Sequence, residues 1–129
     1  MQTCSGGCHC GRVTFEIEIP NEVTVHSCNC SICRQSGYLH VIVSADRFLL
    51  LTGEDKLVEY RFHTGVARHL FCGVCGIKSF YVPRSHPDSF SVNLNCIDLP
   101  KGVDVTVKEF NGRNWSENRK QITGNQSSR

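Results

Sequence analysis

Apolar and polar residues alternate over residues 12–19, with Val13, Phe15, Ile17 and Ile19 in one set and Thr14, Glu16 and Glu18 in the other. A period of two predicts a strand with one buried face, and Pro20-Asn21 ends it. Val23-Thr24-Val25 predicts a second short strand leading into a cysteine cluster. Residues 38–43 read as a strand with buried positions on both faces. Residues 47–51 form another apolar run, followed by a turn at Thr52-Gly53-Glu54-Asp55. Val58, Tyr60 and Phe62 then alternate with Glu59, Arg61 and His63, and residues 68–72 are the expected antiparallel partner across a Thr64-Gly65 turn. Residues 77–82, residues 90–94 and the alternating Val103, Val105 and Val107 predict further strands, with breaks at Pro83 and at Pro87-Asp88. Apart from a short turn after Cys30, no segment of useful length carries a helical period. The expectation is a mainly β domain over residues 1–115, followed by a polar, frayed tail over residues 116–129.

Composition adds two constraints. A chain of 129 residues fits one domain with a real core. The net charge is only +2 and the Lys and Arg residues are scattered, so there is no electrostatic case for nucleic acid. No apolar run reaches the ~20 residues that a membrane helix needs. The N-terminal stretch has neither the basic nor the apolar region of a signal peptide, which gives the expectation of an intracellular, cytoplasmic or nuclear protein.

The nine cysteines dominate the chemistry. In a reducing compartment an odd number of thiols in tight groups points to metal rather than to disulfides. Three groups stand out: Cys8/Cys10, Cys28/Cys30/Cys33 and Cys72/Cys75. Cys72-x-x-Cys75-Gly76 has the spacing and trailing glycine of a zinc knuckle, and Cys8-x-Cys10-Gly11 is a tighter pair with the same glycine. Together they predict a structural site of four thiolates that clips distant segments. Cys28, Cys30 and Cys33 then form a three-thiolate group, the ligand number of a catalytic zinc with one exchangeable position. Three thiolates around Zn²⁺ leave a net negative charge, which suits an incoming thiol better than an activated water. The alternative reading closes this second site with Cys4 or Cys96, making both sites structural.

Gly7-Cys8-His9-Cys10-Gly11, Cys28-Asn29-Cys30-Ser31-Ile32-Cys33 and Phe71-Cys72-Gly73-Val74-Cys75-Gly76, in that order, resemble the glutathione-dependent formaldehyde-activating enzyme family. Arg47-Phe48, the run from Ser79 to Ser85 and Glu109-Phe110-Asn111-Gly112 are similar to the core domain of its centromere protein V branch. The resemblance implies an Mss4-like fold of β-sheets around zinc. It implies two zinc ions per chain: a structural one on Cys8, Cys10, Cys72 and Cys75 and a catalytic one on Cys28, Cys30 and Cys33. The implied activity is that of a carbon–sulfur lyase, the reversible addition of glutathione thiol to formaldehyde or a related aldehyde.

Other residues are weighed individually. His40 follows the central cysteines and is a candidate acid/base or a support for a ligand, against an ordinary packed strand histidine. Arg34 could clasp a glutathione carboxylate, or be a solvated surface charge. Cys4 and Cys96 read as buried free thiols, and His9 as pointing away from the metal. His26, His63, His69 and His86 lack ligand spacing and read as structural or solvent-facing. Phe80, Tyr81 and Trp115 could line a substrate slot, although aromatic residues in a small β domain more often form core. The sequence thus leads to a zinc-dependent carbon–sulfur lyase. The alternatives are a non-enzymatic zinc-stabilised module that binds a protein partner and, third, a zinc ribbon for nucleic acid.

Overall fold

The computed structural model describes residues 1–62 and 65–110. His63, the Thr64 half of the expected turn, Asn111, Gly112, Trp115 and the expected tail lie outside the described residues. The chain is mainly β, as its alternation predicts. β1 (Gln2–Gly7), β2 (Thr14–Ile19) and β5 (Phe48–Thr52) form a three-stranded antiparallel sheet in the order β1-β2-β5. The second sheet has seven strands. They are β10 (Asp104–Phe110), β3 (Glu22–Cys28), β4 (Leu39–Ser44), β9 (Ser89–Asn93), β8 (Phe80–Val82), β7 (Arg68–Cys72) and β6 (Leu57–Tyr60), in that spatial order. All its pairings are antiparallel except β10 beside β3, which is parallel.

The two sheets share one core. Val13, Phe15, Ile17 and Ile19 of the first sheet meet Val23, Val25, Val41, Val43, Leu70, Phe80 and Val92 of the second. Four phenylalanines tie this core together: Phe48 stacks on Phe15 at 5.2 Å and on Phe90 at 4.3 Å, with Phe80 against all three. Burying such rings supplies most of the favourable free energy of a small β domain.

The other face of the large sheet is polar and aromatic, and the strand register identifies it. His26 pairs with His40, His40 with Asn93, Tyr81 with Ser91, and His69 with both Tyr81 and Tyr60. Because successive side chains alternate, these residues share the face opposite Val41, Leu70, Phe80 and Val92. β4 is buried on both sides for this reason: Val41 and Val43 enter the core, while His40 and Ile42 lie beneath the second face.

Three details differ from the sequence expectation. The strand expected over residues 77–82 begins only at Phe80, because Ile77 still serves the preceding turn, its carbonyl accepting from Cys72 N–H at 3.1 Å. β3 continues to Cys28 and so delivers the first cysteine of the central cluster directly from the sheet. The alternation at Val105 and Val107 does not mark a buried face: these side chains are 37% and 54% exposed on the parallel edge strand β10.

Candidate active site

Two groups of thiols form where the cysteine spacing puts them. Cys8, Cys10, Cys72 and Cys75 have all their sulfurs within 4.8 Å of one another, and so do Cys28, Cys30 and Cys33. In the first group Cys8 and Cys10 follow β1, Cys72 ends β7 and Cys75 closes the tight turn after it. Gly11 and Gly76 adopt φ of 81° and 79°, the left-handed conformation glycine takes without cost. Each reverses the chain just after a pair of cysteines, so the trailing glycines of the motifs have a geometric reason. Backbone N–H groups of Val13, Val74 and Cys75 point at Cys8 or Cys72 Sγ from 3.4–3.5 Å. Such donors favour sulfur as thiolate.

The distances fit a metal. Four sulfurs at about 2.3 Å from a tetrahedral ion are about 3.8 Å apart. Cys8 and Cys10 sulfurs are 3.6 Å apart, and those of Cys10 and Cys72 are 3.7 Å apart. Hydrogen bonding from the Arg12 backbone and side chain holds the Cys10 thiol down at about 6, so it ionises readily.

The second group sits at one end of the polar face. Cys28 ends β3, Cys30 caps the N-terminus of the helix α1 (Ser31–Ser36), and Cys33 is buried within it. The helix is only six residues long, stopped by Gly37 in the left-handed conformation. It folds Cys33 back over Cys28 and Cys30. Hydrogen bonds from Cys28 and Cys33 pull the Cys30 thiol down to about 2, while hydrogen bonding to Cys28 and Cys30, and then burial, push Cys33 up. Neither Cys4 nor Cys96 joins this group. Cys4 is buried on β1, its Sγ donating to the Asp98 carbonyl at 3.0 Å, and Cys96 lies half-buried in the short 3-10 turn Leu94–Cys96.

His40 comes directly against the triad. Its Nε2 is 3.1 Å from Cys33 Sγ. Its Nδ1 is 2.9 Å from Ser91 Oγ and 3.2 Å from the Tyr81 hydroxyl. Burial drives its pKa down to about 3, so the ring is neutral at physiological pH. With Cys33 ionised as a metal ligand, the consistent tautomer donates from Nε2 and accepts at Nδ1. Both ring nitrogens then have protein partners, the arrangement of a residue that orients a ligand. Arg34, in the last turn of the same helix, is exposed.

Three more residues belong to this face. Tyr38 is fully buried and donates to the Ser91 carbonyl at 2.6 Å. His69 is buried and stacks on Tyr81 at 4.9 Å and 14°, the structural rather than the solvent-facing of the two places its sequence left open. Lys78 is the residue that sequence reasoning missed altogether. Its Nζ is 2.7 Å from His69 Nδ1, 3.9 Å from the centre of the Tyr81 ring and 4.9 Å from that of Tyr38. Burial lowers its pKa to about 8, against the pull of Cys33 and Cys30. Tyr81 lines this face, whereas Phe80, one residue away, is core.

Comparison with known proteins places this arrangement. The profile described as glutathione-dependent formaldehyde-activating enzyme matches residues 3–113. A protein of Halomonas elongata, provisionally named a glutathione-dependent formaldehyde-activating enzyme, is 26% identical over 125 residues, spanning 87% of this chain and 78% of its own. A crystal structure of a Rhodobacter sphaeroides protein superposes with a TM-score of 0.67 at 30% identity, covering 79% of this chain and 99% of that one.

Proposed function

Since the chain belongs to the glutathione-dependent formaldehyde-activating enzyme family, we propose that it is a zinc-dependent carbon–sulfur lyase that joins glutathione thiol to formaldehyde or a related aldehyde and reverses the reaction. The observation that carries this reading is the triad: three thiols converge, and no fourth cysteine joins them. Cys28, Cys30 and Cys33 would hold the catalytic ion; Cys8, Cys10, Cys72 and Cys75 would hold the structural one. When bound at the triad, zinc supplies a Lewis acid that favours the thiolate form of a thiol ligand.

The chain's own residues set the stage for that chemistry. His40 fixes Cys33 through Nε2 and is itself fixed by Ser91 and Tyr81. Tyr38 locks β9 behind it. The neutral rings of His40 and His69 keep the face polar without adding positive charge that would compete with the ion. Arg34, exposed on α1 one residue after Cys33, would take a glutathione carboxylate by a paired hydrogen bond. No protein nucleophile is required, because the substrate sulfur attacks. The narrower likeness to centromere protein V and the count of two zinc ions form part of this proposal and rest on the sequence motifs.

Exchange spectroscopy with ¹³C-formaldehyde tests the reading. Zinc-loaded protein should accelerate exchange between free formaldehyde and S-hydroxymethylglutathione above the spontaneous rate. Cys30→Ser should abolish the acceleration and lower bound zinc by one equivalent while the β circular dichroism persists. Exchange no faster than in buffer would remove the lyase and leave a zinc-stabilised binding module.

A further inference from the structure

A half-buried lysine without a carboxylate partner is costly, because desolvating an ammonium is disfavoured unless charge or strong acceptors compensate. Lys78 is such a residue. None of the ion pairs among the described residues includes it. Its ammonium is held by His69 Nδ1 at 2.7 Å and by the π faces of Tyr81 and Tyr38. His69 is fixed in turn, stacked between Phe62 at 5.2 Å and Tyr81 at 4.9 Å. These contacts do not cancel its charge. They aim it across the face that also carries the triad, with Cys33 and Cys30 the anionic groups that attract it.

Three donors leave one ammonium with capacity to spare. One N–H goes to His69, and ring faces accept only weakly. An anion arriving between Lys78 and the thiols would complete the set. Addition of a thiol held at the triad to an aldehyde would create an anionic oxygen on this face, on the carbon that sulfur attacks.

We propose that Lys78 is the catalytic donor to that oxygen, and that His69 is its positioning residue. This rests on the thiol–aldehyde reading above. In the forward direction a sulfur lone pair forms the C–S bond and the carbonyl π pair moves to oxygen. The oxygen takes a proton from the Lys78 ammonium. The neutral amine regains from solvent the proton that the thiol released on ionising, so protons and electrons balance. In reverse, neutral Lys78 removes the hydroxyl proton as the C–S pair returns to sulfur. The groups facing Lys78 are His69 on β7, Tyr81 on β8, Tyr38 before β4, His40 on β4, and Cys30 and Cys33 at α1. Among the described residues no carboxylate pairs with Lys78 to take over the role.

Binding distinguishes this role without relying on turnover. Thioacetate carries sulfur and an anionic oxygen on one carbon, as the adduct does; ethanethiol carries sulfur alone. Both are titrated calorimetrically into zinc-loaded wild type and K78M, together with glutathione. A charged hydrogen bond to the oxygen predicts that K78M weakens thioacetate about tenfold more than it weakens ethanethiol. Circular dichroism and zinc content should match wild type, and K78R should restore part of the difference. K78M should lower kcat for the exchange reaction more than it raises KM. Equal losses for both small thiols would mean a general field effect and overturn the proposal. A loss confined to glutathione would make Lys78 a carboxylate anchor and overturn it too. If wild type binds none of the three thiols, the thiol site itself fails, and this inference with it. If K78M does not fold, K78Q replaces it in the same comparison.

Discussion

The four-cysteine site should contribute a large part of the domain's stability, and Cys10→Ser measures how much. Cys10 is the best of the four to change. It is half-exposed, whereas Cys72 is packed into the core and its replacement would also bury a hydroxyl. Cys10 and Cys72 are 62 residues apart in sequence, with sulfurs 3.7 Å apart. Treating the metal as a cross-link, chain-entropy arithmetic for a loop of that length gives about 4 kcal/mol. Such a figure approaches the whole stability of many domains, commonly about 5–15 kcal/mol. At roughly 4 °C per kcal/mol for a chain of this size, the melting temperature should fall by about 15 °C. Thermal melts followed by circular dichroism, on zinc-loaded wild type and C10S, read this directly; metal analysis should show one ion fewer in the variant. Chelator added to wild type should reproduce the shift, because metal binding and folding are linked. A melting temperature within a few degrees of wild type, with metal lost as expected, would refute the cross-link argument and leave the core as the whole source of stability.

Two further outcomes follow from the polar face. Tyr38→Phe removes the donor to the Ser91 carbonyl, a buried bond of 2.6 Å, and should cost about 1–3 kcal/mol in urea denaturation; an unchanged midpoint would mean that this bond does not hold β9 against β4. His69 has its pKa lowered by burial to about 4, from an ordinary 6.5, so the folded state refuses a proton that the unfolded chain accepts between those values. Its stabilising contribution is therefore intact above pH 6.5 and is lost as pH falls toward 4; His69→Phe, which keeps the ring stack, should flatten the slope of stability against pH in that window, and an unaltered slope would assign acid sensitivity elsewhere.

Sequence periodicity disclosed β2 and β3 because each keeps the core on one face, whereas β1, with only Cys4 buried, had no period to read and was not anticipated. Val13, Phe15, Ile17 and Ile19 are all essentially inaccessible to solvent, as strict alternation requires. The same rule misleads at β10. Val105 and Val107 alternate equally well, yet they lie on an edge strand where no second sheet covers them, and edge position is a tertiary property. The cysteine groups were legible because metal ligation imposes short, fixed spacings and the turns need glycine. Lys78 was not legible, since a strand over residues 77–82 would set it on the face of Phe80, whereas β8 begins only at Phe80 and residue 78 lies in the irregular stretch before it. His69 was hidden for a different reason. Its place depends on β7 pairing with β8, across the knuckle, and its partner Tyr81 looks like core in isolation.

The register of the large sheet is what turns a stable core into a shaped site. β4 carries Val41 and Val43 on one face and His40 on the other, and β9 sets Val92 against Ser91 and Asn93 in the same way. A slip of one residue between these strands would bring His40 into the phenylalanine core and place Val41 against Cys33. The slip is opposed from both sides. Moving Val41, Val43 and Val92 out of the core would forfeit the burial of three fully inaccessible side chains, at about 1.5–3 kcal/mol each. On the polar face it would break the bonds from His40 to Ser91 and from Tyr38 to the Ser91 carbonyl. Apolar burial therefore sets the energy gap, and the polar bonds choose which way each ring points. The thiol triad inherits its geometry from that combination: Cys28 is fixed by β3, Cys33 by His40, and His40 by the strand pairing that the core enforces.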